Sequence, residues 1–241
     1  MGTTWTRKYI WDATSDLGSV KIADITLAVE TEYDYGGVQL WEGGPYWAEC
    51  NVGASSPEDY GYYFWWGDTV GYKRNSDDSG WVSVKDGSSF SFSNGNAPTY
   101  GMDNSSLLSA GYIDSIGVLA AEHDAATAHL GSPWRMPTDA EFSELINNCD
   151  RVWTNFNGVA GLLVTGRSNY ASRRVFFPAA GEGSENSRSD VGSQGRYWPS
   201  VPLSSSTTLT YDFYLNSGGS GLGNYYRLRG RSVRPVRTAV D

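Results

Sequence analysis

From Gly37 onward the chain is cut into short segments. Gly, Ser, Asn or Pro recurs every few residues, so this sequence must fold through short elements joined by much irregular backbone. The chain holds ten Trp and sixteen Tyr, enough apolar area to offset the entropy of ordering and argue against a disordered chain. The 241 residues suffice for a sizeable core. A coiled coil is excluded, because long helices of that kind are rich in Ala, Glu, Lys and Leu. No apolar run reaches the roughly 18 residues that a membrane helix needs, so membrane insertion is not expected. Met1-Gly2-Thr3-Thr4-Trp5 shows no leader with a charged and then an apolar segment, although a chain starting after a cleaved leader would look the same.

The spacing predicts two units. Residues 1–36 form an N-terminal extension with one strand candidate, Asp24–Glu30, in which apolar and polar residues mostly alternate. Residues 37–241 form the main domain. Within it, residues 71–106 are rich in Ser, Gly, Asp and Asn and read as a long loop or insertion. Two short helices are expected. Ser115–Leu130 places Ile116, Leu119, Ala120, His123 and Ala126 near helical spacing, with Gly131 as the stop. The second begins at Thr138, an N-cap with Glu141 three residues on as its capping-box partner, and buries Phe142, Leu145 and Ile146. Beyond residue 160 only strands are read: 161–164, 174–177, 210–215 and 232–236. The fold class is α+β, with many short strands and long irregular loops.

The charge is uneven. Residues 1–150 hold 7 Lys/Arg against 22 Asp/Glu, whereas residues 151–241 hold 11 Arg, no Lys and 5 acids. Those arginines are scattered among aromatic and Gly/Ser positions and form no basic stripe, so nucleic acid is not the expected partner. They are expected to pair with the acidic first half and to pack on aromatic faces. Motifs for catalysis are lacking. His123 and His129, six residues apart, would face different sides of a helix and share no metal. Asp77-Asp78 lacks the regular ligand spacing of a calcium loop and reads as solvated charge. Cys50 sits in Trp47–Gly53, read as a core strand, and Cys149 ends the second helix, so both read as quiet thiols or one disulfide. No cofactor is implied and the chain does not read as an enzyme.

Several segments nevertheless form a recognisable series. They are Trp47-Ala48-Glu49-Cys50-Asn51-Val52-Gly53-Ala54, Pro57–Thr69, Trp134-Arg135-Met136-Pro137-Thr138, Asn148-Cys149, Asn157-Gly158-Val159, Phe176-Phe177-Pro178-Ala179-Ala180-Gly181, Tyr197-Trp198 and Gly230–Val236. In this order, over about residues 37–237, they resemble the Fibrobacter succinogenes major paralogous domain. The sequence departs at Trp198-Pro199-Ser200, where Trp-Ser-Ser is usual. The resemblance implies a C-type lectin fold of the formylglycine-generating-enzyme branch. It also implies kinship with the variable proteins of diversity-generating retroelements, found on phage virions or cell surfaces, which present a hypervariable C-terminal surface to ligands.

That kinship can be examined in the sequence itself. Retroelement diversification rewrites adenines, mainly in Asn codons ending in a pyrimidine, and such codons cannot encode Lys, Glu, Gln, Trp or Met. Residues 199–241 contain none of these five, whereas residues 1–198 contain 29. A Ser/Gly-rich surface would also deplete Lys and Glu. The expected variable segment spans about 196–229. Its ligand-binding residues are expected to be Arg196, Leu203, Asp212, Tyr214, Asn216, Tyr225, Tyr226, Leu228 and Arg229, because Tyr and Arg give large contact area while Ser, Gly and Asn adapt. Along 210–215, Tyr211, Phe213 and Leu215 should face the core, with Asp212 and Tyr214 outward. The expected partner is a cell-surface protein or glycan, with attachment to a virion or envelope through the N-terminal extension. The rival readings are a structural envelope or adhesin domain without a variable site, and a formylglycine-generating-type enzyme, which would need a reactive cysteine pair.

Overall fold

The structure, a computed structural model, describes residues 36–93 and 97–238. Along the chain come β1 (Val38–Gln39), β2 (Tyr46–Trp47), β3 (Tyr72–Arg74), β4 (Trp81–Ser83) and β5 (Ser89–Phe90). The helices follow: α1 (Asn104–Ser109), α2 (Ala125–Leu130) and α3 (Asp139–Asn148). Then come β6 (Asp150–Phe156), β7 (Val159–Thr165), β8 (Arg174–Pro178), β9 (Glu182–Ser184), β10 (Ser187–Ser189), β11 (Gln194–Tyr197), β12 (Leu209–Asn216), β13 (Gly219–Tyr226) and β14 (Val236–Arg237). Every named pairing is antiparallel, in small sheets ordered β1-β2-β14, β3-β4-β5, β6-β7-β8, β9-β10 and β11-β12-β13. This is an α+β architecture. Gly37–Asp241 form one compact unit, and the strand candidate Asp24–Glu30 lies outside the described residues. Among the described residues, no helix is long and apolar enough to cross a membrane.

α3 forms where its capping signal lies. The Thr138 hydroxyl accepts from the Glu141 amide at 3.1 Å, and the Glu141 carboxylate accepts from the Thr138 amide at 2.8 Å. Arg135 then grips the same carboxylate through two nitrogens, at 2.8 and 2.6 Å. Phe142 and Leu145 are buried, and the Phe142 ring stacks on Phe213 of β12 at 4.6 Å. That contact ties the helix to the C-terminal meander.

Four of the expected elements differ. The helix read over 115–130 is broken: Gly117 takes φ 85°, Ile116 is exposed, and only Ala125–Leu130 is α-helical after a 3-10 turn at Ala121–His123. The break has a cause in Asp124, whose buried carboxylate accepts from the Thr127 and Met136 amides and so starts a new helix. Residues 71–106 are not merely a loop, for they hold β3–β5 and α1, giving three helices among the described residues rather than two. There Trp65, Tyr72, Trp81, Phe90 and Phe92 make an aromatic cluster of their own. Finally, the 232–236 strand shrinks to Val236–Arg237, and Trp47–Gly53 to Tyr46–Trp47. Cys50 is consequently half-exposed rather than in a core strand, and both cysteines are free thiols.

Candidate ligand-binding surface

β12 is the spine of the C-terminal meander. Its alternation places Phe213 and Leu215 fully in the core, with the partly buried Tyr211 on the same side. Below them lie Tyr197, Phe142 and Phe177, each in ring contact with Phe213. Trp198, just after β11, is fully buried and donates its indole N–H to the Phe64 carbonyl at 2.8 Å. Trp134 and Phe176-Phe177-Pro178 are buried as well.

Register defines the other face. Arg196 pairs with Tyr214, which pairs with Gly221; Asp212 pairs with Gly223, and Thr210 with Tyr225. Arg196, Asp212, Tyr214 and Tyr225 therefore share one side of the sheet. The glycines make room there: a Cβ on Gly221 would sit 2.8 Å from the Tyr214 hydroxyl, and one on Gly223 would sit 2.9 Å from Asp212 Oδ1. The Tyr214 ring lies across the Cα of Gly221 in the space that glycine leaves.

Asp212 does not point to solvent. It is fully buried between two guanidinium groups, Arg196 Nη1 at 2.7 Å and Arg231 Nη1 at 2.9 Å. Arg231 is itself fully buried and also meets Glu182 at 3.1 Å. Its guanidinium lies 4.2 Å from the centre of the Trp198 ring and 4.6 Å from that of Tyr225, while Arg196 lies 4.8 Å from Tyr225. Burial lowers the Arg231 pKa, with the charges of Asp212 and Glu182 acting against that. The expectation that Asp212 faces outward is thus corrected: alternation assigned the right side of the strand, but Arg231 covers that side.

Leu228 is the second correction. It is buried, and its carbonyl accepts from the Trp65 indole at 2.8 Å. Third, Tyr225 and Tyr226 lie on opposite sides of the sheet by register, Tyr226 pairing with Leu209, although their rings touch at 5.7 Å. Asn216, the last residue of β12, is partly exposed on the Tyr214 side of the sheet, and its Oδ1 accepts from the Gly218 amide. It lies six residues along β12 from Thr210, about 20 Å at strand rise. Arg196, Leu203, Tyr214, Tyr225 and Arg229 are partly exposed, and Tyr226 is exposed. Arg229 leans toward Ser184 Oγ and the Glu182 carboxylate. The nine expected residues therefore divide into seven that are at least partly exposed and two, Asp212 and Leu228, that are buried.

No family model, curated protein or solved structure matches the chain.

Residues not anticipated as functional hold this surface in place. Arg227 is fully buried against Trp66, its ring centre 5.0 Å away, and donates to the carbonyls of Leu209, Thr99, Met102 and Ser206. It ties the 199–209 loop to the loop at 99–102, and burial lowers its pKa to about 10. Arg234 is likewise buried, over Phe177, and donates to the Ala48, Glu49 and Phe176 carbonyls. The aromatic packing of the arginines agrees with expectation, and so do two ion pairs with the acidic first half, Arg167 with Asp150 at 2.8 Å and Arg188 with Asp78 at 3.7 Å, but the buried arginines pair otherwise. Their partners Asp212 and Glu182 come from the second half, and the first half contributes mainly carbonyl oxygens to them. Asp78 also takes Arg74 at 2.6 Å, while Asp77 accepts from Ser79. Burial raises the pKa of the Cys50 thiol and raises that of Cys149 to about 11.

Proposed function

We propose that this chain is a non-catalytic ligand-binding protein with a C-type lectin scaffold, a variable protein of the diversity-generating-retroelement kind. Its contact surface would be built from Arg196, Leu203, Tyr214, Tyr225 and Arg229, joined at the edge by Tyr226 through its ring contact with Tyr225, and its partner would be a protein or glycan on a cell surface. The observation that carries this reading is the division within residues 196–236. Arg and Tyr side chains at the surface alternate with fully buried anchors, namely Trp198, Phe213, Arg227, Arg231, Val233 and Arg234. A surface open to repeated change needs such a base, because core substitutions routinely cost several kcal/mol. The absence of Lys, Glu, Gln, Trp and Met after residue 198 supports the same reading.

The segments that carry the resemblance support the scaffold. Trp47, Trp66, Met136, Phe177, Tyr197, Trp198 and Val233 all belong to those segments, and all are buried. The enzyme alternative draws less support, since a reactive pair needs thiolates and burial works against both cysteines forming them. The encoding DNA tests the proposal. A near-repeat of the last coding stretch beside a reverse-transcriptase gene, differing at adenines, is the expected result. A neighbourhood with neither feature overturns the diversification part of the reading.

A further inference from the structure

A groove of about 390 Å³ opens at the hairpin-turn end of β12–β13, at the other end of the strands from Tyr225. Arg151 and Trp153 of β6 and Leu162 of β7 form one wall, and the turn over 216–220 forms the other. Among the described residues, Arg151 is the one charged residue lining it. Its Nη1 donates to the Ser220 carbonyl at 3.2 Å and to the Ser220 hydroxyl at 2.8 Å, which fixes the guanidinium, while its buried Nε has no hydrogen-bond partner. With Nη1 held by Ser220 and Nε sealed from solvent, what the guanidinium offers the groove is chiefly its fixed positive charge, which favours a carboxylate. Trp153, two residues along β6 on the same side, is half-buried and offers an apolar ring face beside that charge. The glycines at 218 and 219 keep the opposite wall low, and the volume suits a single six-membered ring with its substituents.

We propose that this groove binds a small carboxylate carried on a ring with an apolar face, either a hexuronic acid or an aromatic carboxylate. Arg151 pairs with the carboxylate and Trp153 covers the ring. The proposal does not rest on the display reading, because its anchors lie on β6, outside 196–229. If that reading holds, residues 216–220 add a wall that can change while Arg151 and Trp153 stay fixed.

The test is an amide-shift titration of the ¹⁵N-labelled full chain with glucuronate, benzoate and glucose. At least one carboxylate should move the 217–220 amides and the Trp153 indole signal with a Kd of about a millimolar, and glucose should bind at least about tenfold more weakly. A response to glucuronate alone assigns the sugar acid, and a response to benzoate alone assigns the aromatic acid. Arg151→Gln should weaken the carboxylate about tenfold, with Arg151→Lys recovering part of the loss. Should Arg151→Gln fail to fold, Ser217→Trp, at an exposed turn position, should block the groove and remove the shifts. The proposal is overturned by silence toward both carboxylates up to about 10 mM, by shifts elsewhere only, or by undiminished binding in folded Arg151→Gln or Ser217→Trp.

Discussion

Replacing Asp212 by Ala separates a buried anchor from a display residue. In the folded protein Asp212 holds Arg196 and Arg231 at 2.7 and 2.9 Å, and both Asp212 and Arg231 are fully buried. Removing the carboxylate leaves Arg231 with Glu182 alone, at 3.1 Å, on a site that carries two arginines. Breaking a buried pair from one side costs about 3–5 kcal/mol, because the remaining charge stays out of water without compensation. For a domain of this size each kcal/mol lowers the melting temperature by about 2–4 °C, so Asp212→Ala should melt about 10 °C below the parent. Arg196→Ala should lose no more than about 1 kcal/mol, since Arg196 is partly solvated and Asp212 keeps Arg231. Thermal melts followed by near-ultraviolet circular dichroism, which reports the aromatic packing around Trp198, would read both. An Asp212→Ala melt within about 2 °C of the parent would refute the buried-anchor argument and return Asp212 to the display surface.

Other outcomes follow from the same contacts. Trp198→Ala should cost about 3–5 kcal/mol, through lost burial and the lost bond to the Phe64 carbonyl, and chemical denaturation would measure it. Cys149, buried and with its thiol pKa raised to about 11, should resist iodoacetamide in the native state, while the half-exposed Cys50 reacts first; peptide mapping of a time course would show the order. Burial alone would raise the Glu141 pKa, but hydrogen bonding and charge from Arg135 outweigh it and hold it below the usual range. A depressed folded pKa gives stability that is present above the unfolded pKa and lost as pH falls through the folded one. Acid melts should therefore show a loss below about pH 4.5 that is smaller in Glu141→Gln; identical acid profiles would contradict it.

What was legible in the sequence was local. Thr138 and Glu141 announced α3, because a capping box satisfies its own backbone donors within one turn. The alternation of Tyr211, Phe213 and Leu215 gave the core side of β12 for a similarly local reason. What was hidden depended on distant partners. Nothing near Asp212 in sequence says that Arg231 lies over it, and an Asp beside a Tyr in an alternating strand reads as solvent-facing. The helix over 115–130 was misread because its Ala-rich spacing fits a helix, whereas Asp124 is drawn to the Met136 amide in the next segment. β13 escaped notice because GSGLGNYY has few side chains with strand preference and is held by its partner β12. Arg227 and Arg234 could have been noticed only as arginines set among apolar and small residues near the C-terminus, a pattern that equally fits a solvated edge.

The central claim is that surface side chains on this meander capture ligand while the anchors beneath them hold the fold. The most direct measurement pairs melting with capture on one variant carrying Tyr214→Ser, Tyr226→Ser and Arg229→Ser, with the parent and Asp212→Ala alongside. Capture would be read as retention of the full chain on intact cells that the parent binds. The triple variant should melt within about 3 °C of the parent yet lose at least about thirtyfold in apparent affinity, as loss of a central aromatic contact does. A triple variant that unfolds, or one that binds as the parent does, would contradict it.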